Sequence, residues 1–195
     1  HHKKLAAVIE KTGLFLDPVI SVPAPDHGFW TPNGRHRLEA MRRLGARAIT
    51  TLIAPDRQLA WQILALNTEK AHNLKERSLE VARIYRGLID ENDTRHETEF
   101  AFYLEEAALV TLGFCYEKKP KFAGGAYHPI LRRVEEFEGE PLRKTVKQHE
   151  TRAQMALELE EKVSDVVNRL KYRGLTSPYL RTFVVARINP LRWIK

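Results

Sequence analysis

The sequence predicts an α+β protein that has a small mixed α/β unit at residues 5–90 and an all-helical part at residues 98–195. Short runs of β-branched and aromatic residues bounded by proline or glycine, which indicate strands, occur only before residue 56. Beyond residue 56 the apolar residues recur at three- and four-residue spacing, which indicates amphipathic helices. The polar, charged segment 91–97 is the expected junction between the two parts.

Short elements alternate in the first part. Gly13 and Gly45 stand where helices would stop, and Ser78 is an expected helix N-cap. Asn33-Gly34 predicts a tight turn between a strand and a helix. We therefore expect helices over 5–12, 35–44, 59–68 and 78–90 and strands over 19–22, 29–30 and 49–53. In the second part we expect helices over 100–112, 127–137, 144–172 and 179–186, with a basic loop over 116–125.

Composition and cysteine content exclude several classes of protein. With 43% hydrophobic residues in a chain of 195, the protein can bury a core and does not match a disordered tail. Its apolar runs stay below the roughly 18 residues of a membrane span, and no signal-peptide pattern opens the sequence, so we expect a cytoplasmic protein. The single cysteine, Cys115, excludes an internal disulfide framework and a multi-cysteine zinc site, and we expect it to be a packed core thiol.

The formal net charge of +7 is concentrated in two segments. Residues 33–47 hold five arginines against one acid, Glu39, and residues 169–195 hold seven basic residues and no acid. Such segments can neutralise phosphates, which makes nucleic acids and phosphorylated ligands the expected partners. Solvated helix faces are the other interpretation of both segments.

Residues 31–40 are predicted to carry the chemistry. They form a strand end, a glycine turn and a helix whose first turn presents Arg35, His36 and Arg37. The start of a helix offers unpaired backbone N–H groups and a partial positive charge, and glycine lets a phosphate approach the backbone closely. Arginines add bidentate, charge-assisted hydrogen bonds. The pattern predicts a phosphate-binding site, and a basic helix start that faces water is the alternative.

These residues resemble a known superfamily. The stretch from Gly34 to Ala40 is similar to the phosphate-binding box of the ParB/sulfiredoxin superfamily, in which glycine, arginine and alanine follow at three-residue spacing. Residues 13–22 resemble its box of glycine, proline and strand, with one extra residue between the glycine and the proline. Asn67 followed by Lys70 has the spacing of the third box of ParB proteins, where lysine here replaces arginine.

The resemblance implies a nucleotide site. It assigns the triphosphate of CTP or ATP to the box glycine and the three residues after it, Mg²⁺ to the third-box asparagine, and a phosphate contact to the third-box lysine. An amide oxygen suits Mg²⁺. A helix C-cap is the alternative interpretation of the third-box asparagine, because asparagine is common at that position. In this sequence the residues are Gly34, Arg35, His36, Arg37, Asn67 and Lys70.

Arg35 departs from the family pattern. Nucleotide-hydrolysing ParB proteins usually carry glutamate directly after the box glycine, and sulfiredoxins carry their catalytic cysteine there. The resemblance therefore implies slow or absent nucleotide hydrolysis, and it excludes the peroxiredoxin-repair chemistry of sulfiredoxins.

The resemblance also implies a DNA-binding protein of the chromosome or plasmid partitioning or regulation type, which is compatible with a homodimer. Residues 104–112 and 127–137 are the candidate helix-turn-helix, and their connection is longer than the usual three or four residues, so we expect a degenerate motif. Phosphate contacts from basic side chains would give salt-sensitive binding with little sequence preference. The side chains predicted to contact nucleic acid are Lys118, Lys119, Lys121, Arg132, Arg133, Arg181, Arg187 and Arg192.

The alternative is an enzyme of the same superfamily. Free-serine kinases hold a nucleotide with a similar box while a carboxylate activates a small hydroxyl, and the candidates for that carboxylate are Glu69 and Glu10. Exposed helix acids are the simpler interpretation of both. A nuclease ranks third, because no cluster of acids would bind two catalytic metal ions.

Overall fold

The computed structural model describes residues 2–15, 17–68, 73–91 and 94–193. The chain divides into two compact units, His1–Asn67 and Thr68–Lys195. A small three-stranded sheet lies in the first unit, and the described part of the second is helical. The prediction of an α+β protein with a helical majority is therefore confirmed.

The sheet of the first unit is mixed. It consists of β1 (Val19–Pro23), β2 (Phe29–Trp30) and β3 (Thr51–Ile53) in the order β2-β1-β3. β2 pairs antiparallel with β1 through a tight turn, in which the amide of Ala24 donates to the carbonyl of Gly28 at 3.0 Å. β3 pairs parallel with β1, and a parallel pair needs a crossover connection, which the segment between the strands supplies.

The helices of the first unit are α1 (His2–Thr12), α2 (Arg35–Arg43) and α3 (Leu59–Thr68). α2 lies within the crossover between β1 and β3 and packs against α1. The basic, polar α2 buries only Ala40, so most of its side chains remain available to solvent. The buried apolar residues of this unit are Val19, Val22, Ala40, Ala60, Trp61 and Leu64.

The second unit is built around one helix that is buried along most of its length. The described helices of the unit are α4 (Leu74–Asp90), α5 (Ala101–Leu104), α6 (Ala107–Lys118), α7 (Gly124–Val134), α8 (Leu142–Tyr172) and α9 (Leu180–Ile188), with 3₁₀ turns at Glu97–Phe100 and Pro190–Trp193. The central helix is α6, whose residues 107–116 are all buried and which packs against α4, α5, α7 and α8.

Several helix boundaries differ from the sequence prediction, such as the end of the helix expected over 127–137, which lies at Val134, and two of the differences have a local cause. α4 begins at Leu74 rather than Ser78, because the side chain of Asn73 caps the helix and accepts from the amide of Glu76 at 3.0 Å. The expected helix over 100–112 is broken at Glu105, whose φ of 62° lies in the left-handed region. No helix in the described ranges is long and apolar enough to cross a membrane.

The connection between α6 and α7 is shorter than predicted. α6 continues to Lys118 and α7 already begins at Gly124, so residues 119–123 join the two helices. A long loop over 116–125 was expected from its lysines and its two glycines, and this expectation was wrong. The helix pair α6 and α7 therefore has a five-residue connection, which is close in length to that of a helix-turn-helix.

Candidate phosphate and nucleic-acid sites

Gly34 sets the geometry of the predicted phosphate turn. Its φ of 86° and ψ of 14° are left-handed, and it precedes α2 without any side-chain cap. A Cβ atom at this position would lie 2.7 Å from Cγ1 of Val19, which is buried in β1. Glycine is therefore required both by backbone conformation and by packing. The first turn of α2 also contains no acidic residue, so its backbone N–H groups face no competing carboxylate from that turn.

Arg37 holds the segment that leads into β1. Its Nη1 donates to the carbonyl oxygens of Asp17 and Pro18 at 2.9 and 2.8 Å and lies 2.9 Å from a carboxylate oxygen of Asp17. Among the described residues these polar contacts run through Nη1 alone. Arg35 and His36, on the same turn, are exposed. The structure thus gives Arg37 an anchoring role, and Arg35 is the exposed guanidinium beside Gly34.

A hydroxyl cluster that sequence reasoning missed joins β1, β3 and the residue that follows β2. The Ser21 hydroxyl lies 2.8 Å from the Thr51 hydroxyl and 3.2 Å from that of Thr31, and Thr51 Oγ1 also donates to the carbonyl of Val19 at 3.1 Å. Ser21 is buried, so these hydrogen bonds satisfy a polar group inside the sheet. The cluster fixes β1, β3 and the start of the turn relative to one another.

Three residues of the predicted sites have side chains that lie outside the described residues. The side chain of Asn67, predicted to bind Mg²⁺, and the whole of Glu69 and Lys70 lie outside the described residues. Glu10, the other candidate carboxylate, is exposed on α1 and forms no ion pair or hydrogen bond with another described residue.

An aromatic cluster fixes the connection between α6 and α7. The ring of Phe122 stacks on Tyr127 with centroids 5.0 Å apart and meets the edge of Tyr116 at 5.9 Å. The Tyr127 hydroxyl donates to Glu160 of α8 at 2.7 Å, and burial followed by that hydrogen bond raises the pKa of Tyr127. Lys75 of α4 donates to the carbonyl of Pro120 at 2.7 Å. The start of α7 is therefore held rigidly against α4, α6 and α8.

The outward face of α7 carries small residues near the start of the helix and arginines near its end. Gly125, Pro129, Arg132 and Arg133 are exposed and recur at three- and four-residue spacing, which places them on one face. The Arg132 side chain is 67% exposed and its Nε lies 3.8 Å from Glu106, so this ion pair leaves it largely in solvent. The face presents two arginines on a fixed helix.

The remaining predicted nucleic-acid residues fall into two groups. Arg181 is not a free surface cation, because it forms an ion pair with the buried carboxylate of Glu160 and donates to Ser164 at 3.0 Å. The second group consists of side chains at or near the surface: Lys118, whose Nζ lies 3.3 Å from Gln154 Oε1, the half-buried Lys119, and the exposed Lys121, Arg187 and Arg192.

A buried polar network that the sequence did not predict lies in the second unit. The fully buried Glu97 accepts hydrogen bonds from the Tyr85 hydroxyl at 2.9 Å, from Nε2 of His149 at 2.7 Å and from the Glu138 amide at 2.7 Å. Burial acts to raise the pKa of Glu97, but the hydrogen bonds from His149 and Glu138 outweigh it, so the pKa lies below its usual value. Burial also raises the pKa of Tyr85, which hydrogen-bonds Thr145 at 2.6 Å.

The other end of the network carries a second buried carboxyl. Nδ1 of His149 lies 2.8 Å from the Thr111 hydroxyl, which lies 2.7 Å from Oε2 of Glu135. Burial raises the pKa of Glu135, and its Oε1 is buried without a hydrogen-bond partner among the described residues. Polar residues at otherwise apolar helix positions, such as Thr111, were the sequence signal for this network. Because its groups are buried, we assign it to stability. Among the described residues no group of acidic, histidine or cysteine side chains could hold a metal ion.

Comparisons with known proteins give a structural similarity but no family assignment. No family model matches the chain, and no curated protein matches it. Among solved structures, the chain is similar to the C-terminally truncated chromosome-partitioning protein ParB from Caulobacter crescentus complexed to the centromeric parS site. The two are 16% identical, the match covers 83% of this chain and 89% of that chain, and the TM-score is 0.36.

Proposed function

We propose that this chain is a ParB-like protein that binds duplex DNA through α7 and a nucleoside triphosphate, CTP or ATP with Mg²⁺, at the Gly34 turn. The observation that carries the DNA-binding part is the outward face of α7, which presents Arg132 and Arg133 on a helix locked to its neighbours. The resemblance of residues 34–40 to a phosphate-binding box supports the nucleotide part.

The dimensions and side chains of α7 suit a major groove. Eleven residues make a helix of about 16 Å, and the groove of B-DNA, about 12 Å wide, admits one helix. Gly125 and Pro129 would let the start of the helix approach the DNA closely, and arginine can form two hydrogen bonds with guanine. Lys118, Lys119 and Lys121 near the helix start would add contacts to phosphates.

The Gly34 turn fits a phosphate group by the chemistry of its residues. It combines a left-handed glycine, a helix start without a side-chain cap or an acid, and the exposed Arg35 and His36. Bound Mg²⁺ would neutralise phosphate charge, and Asn67 would supply an amide oxygen to it. Lys70 is proposed to contact a phosphate.

The DNA-binding part is tested with a duplex titrated across a salt series. Arg132→Ala/Arg133→Ala should weaken binding about tenfold or more and lower the slope of log Kd against log salt by about two. Arg143→Ala/Lys144→Ala is the matched control, since it removes two exposed cations from the start of α8. Equal losses in both variants would show that only net charge matters, and α7 would lose its assigned role.

The nucleotide part is tested by thermal shift with CTP, ATP and GTP in the presence and absence of Mg²⁺. We expect stabilisation of the wild type that disappears in Arg35→Ala and persists in Arg47→Ala, a nearby exposed arginine. Arg37→Ala is unsuitable as the primary variant because Arg37 anchors two backbone carbonyls. If no nucleotide stabilises the wild type, the phosphate site is refuted.

The same samples decide between binding and turnover. A free-serine-kinase-like enzyme would transfer phosphate from ATP to a small hydroxyl, with Glu10 or Glu69 as the activating carboxylate. Product analysis with ATP and free serine distinguishes the two functions, because a DNA-binding protein with Arg35 in place of the family's glutamate should release little phosphate.

A further inference from the structure

We infer that the C-terminal segment binds single-stranded nucleic acid by stacking unpaired bases on the exposed rings of α9. The surface consists of Tyr179, Phe183 and Arg187, and we call it the aromatic–arginine stripe. It uses none of the α7 residues assigned to duplex DNA. The inference therefore holds or fails independently of the proposed function.

The rings of the stripe face away from the core. Leu180, Val184 and Val185 are the buried side of α9, whereas Tyr179 is 75% exposed and Phe183 is 55% exposed. The stripe residues follow at four-residue spacing, so their side chains are neighbours on one face of the helix. The guanidinium of Arg187 lies 5.5 Å from the Phe183 ring centroid. Two aromatic faces and a cation thus lie in a row on one helix.

The sequence segment that contains the stripe carries charged residues of one sign, although Arg181 within it pairs with Glu160 of α8. From Arg169 to the last residue the sequence has seven basic residues and no acid. Arg169, Lys171 and Arg173 are exposed on the last turn of α8 and just after it, and Tyr172 between them is 95% exposed. Alternating cations and exposed rings match the two requirements of a single strand, which are phosphate neutralisation and base stacking.

The composition of the face favours a single strand over other anionic partners. A duplex hides the faces of its bases within the stack, so it offers nothing to exposed rings. An amphipathic helix that binds membranes turns most of its aliphatic residues outward, whereas α9 keeps Leu180, Val184 and Val185 inside the protein and leaves Ile188 about half exposed at its end. Flat rings beside arginine instead match the chemistry of base recognition without sequence preference.

The experiment measures the anisotropy of a labelled oligothymidine of about 20 nucleotides added to the full chain. Tyr179→Ala/Phe183→Ala should weaken binding by about 20-fold or more, since each stacked ring contributes about fivefold or more. Phe102→Ala is the matched control, because it removes another exposed ring, 80% exposed, from the same unit and should leave affinity unchanged. Circular dichroism confirms that the variants remain folded.

Additional measurements distinguish single-stranded nucleic acid from other partners of the aromatic–arginine stripe. An abasic strand of equal charge should bind weakly, and Arg132→Ala/Arg133→Ala should leave oligothymidine binding intact while it weakens duplex binding. Equal affinity for the abasic strand overturns the stacking model. Binding to phosphatidylserine vesicles without binding to oligothymidine assigns the stripe to membranes instead. Loss of self-association in Tyr179→Ala/Phe183→Ala, with unchanged oligothymidine affinity, assigns it to a second copy of the chain.

Discussion

Gly34 packs so closely against Val19 that a side chain at position 34 would clash with it. This contact limits which residues the phosphate turn accepts. We predict that Gly34→Ala lowers the free energy of unfolding of the first unit by about 2 kcal/mol or more, since left-handed backbone costs about 1–2 kcal/mol for alanine and the new Cβ meets Val19. Gly45→Ala is the control, because Gly45 is also left-handed with open space around it. Urea unfolding followed by tryptophan fluorescence measures both. Equal losses would mean that the contact with Val19 carries no cost.

The two buried carboxyls of the polar network should respond oppositely to neutralisation. All three partners of Glu97 donate hydrogen bonds to it, so the amide group of Glu97→Gln would place a donor against a donor. We predict a loss of about 1–3 kcal/mol near neutral pH. Glu135→Gln keeps an acceptor for Thr111 and removes a charge whose burial is unfavourable, so it should be neutral or stabilising there.

The directions of the two pKa shifts determine how the contributions of Glu97 and Glu135 to stability change with pH. A carboxyl with a lowered pKa, such as Glu97, stabilises the fold above its unfolded value near 4.5, and this stability is lost as the pH falls. A carboxyl with a raised pKa, such as Glu135, favours the fold below 4.5, and this contribution is lost as the pH rises. Urea unfolding between about pH 3 and pH 7 should therefore show the Glu97→Gln penalty shrinking as the pH falls below about 4.5. A penalty independent of pH would contradict this assignment.

At the scale of elements, α6 packs closely against α4 at Gly113. A Cβ there would lie 2.3 Å from the backbone oxygen of Ser78 and 2.5 Å from Cβ of Ala82, both on α4. We predict that Gly113→Ala forces the helices apart and costs about 1–3 kcal/mol. Gly125→Ala, on an open face of α7, should instead stabilise by up to about 1 kcal/mol, because alanine favours helix. Thermal unfolding should show a lower Tm for Gly113→Ala and a higher Tm for Gly125→Ala than for the wild type.

The sequence predicts well those elements that a short run of neighbouring residues determines. The β-branched run at 19–22 forms β1, and the left-handed Gly34 makes the turn that its dipeptide indicates. The start of α7 was misplaced because Gly124-Gly125 is a loop pattern. In the structure, Gly124 is helical, and the Tyr116 hydroxyl would lie 2.3 Å from a Cβ at this position. Packing between neighbouring helices decides such positions, and it leaves no local pattern.

The same division holds for the candidate sites. Residue types and spacing indicate Arg35 and Arg37 at the turn, but only the fold shows that Arg37 bonds carbonyls twenty and nineteen residues away. Glu97 and His149 are 52 residues apart in sequence, so the buried network requires the packed helices. Arg181 looks like a surface cation in sequence because its partner, Glu160, lies on another helix.

At the scale of the whole molecule, the boundary between the two units can be tested directly. The second unit contains α4, which packs against α6, whereas the sequence predicted a helical domain beginning at residue 98. We predict that a fragment of residues 73–195 unfolds cooperatively in urea and keeps the duplex affinity of the full chain. It should lose any nucleotide response, because the Gly34 turn is absent from it.

The fragment of residues 98–195 is the matched control for that boundary. It lacks α4 and therefore exposes the face of α6 that α4 covers, and it loses the Tyr85 hydroxyl and Glu97 from the buried network. We expect it to bind a hydrophobic dye and to unfold without a cooperative transition, as chains with unpacked cores do. If residues 98–195 fold as cooperatively as residues 73–195, α4 is dispensable and the boundary predicted from the sequence is the correct one. If neither fragment folds, the second unit depends on the first.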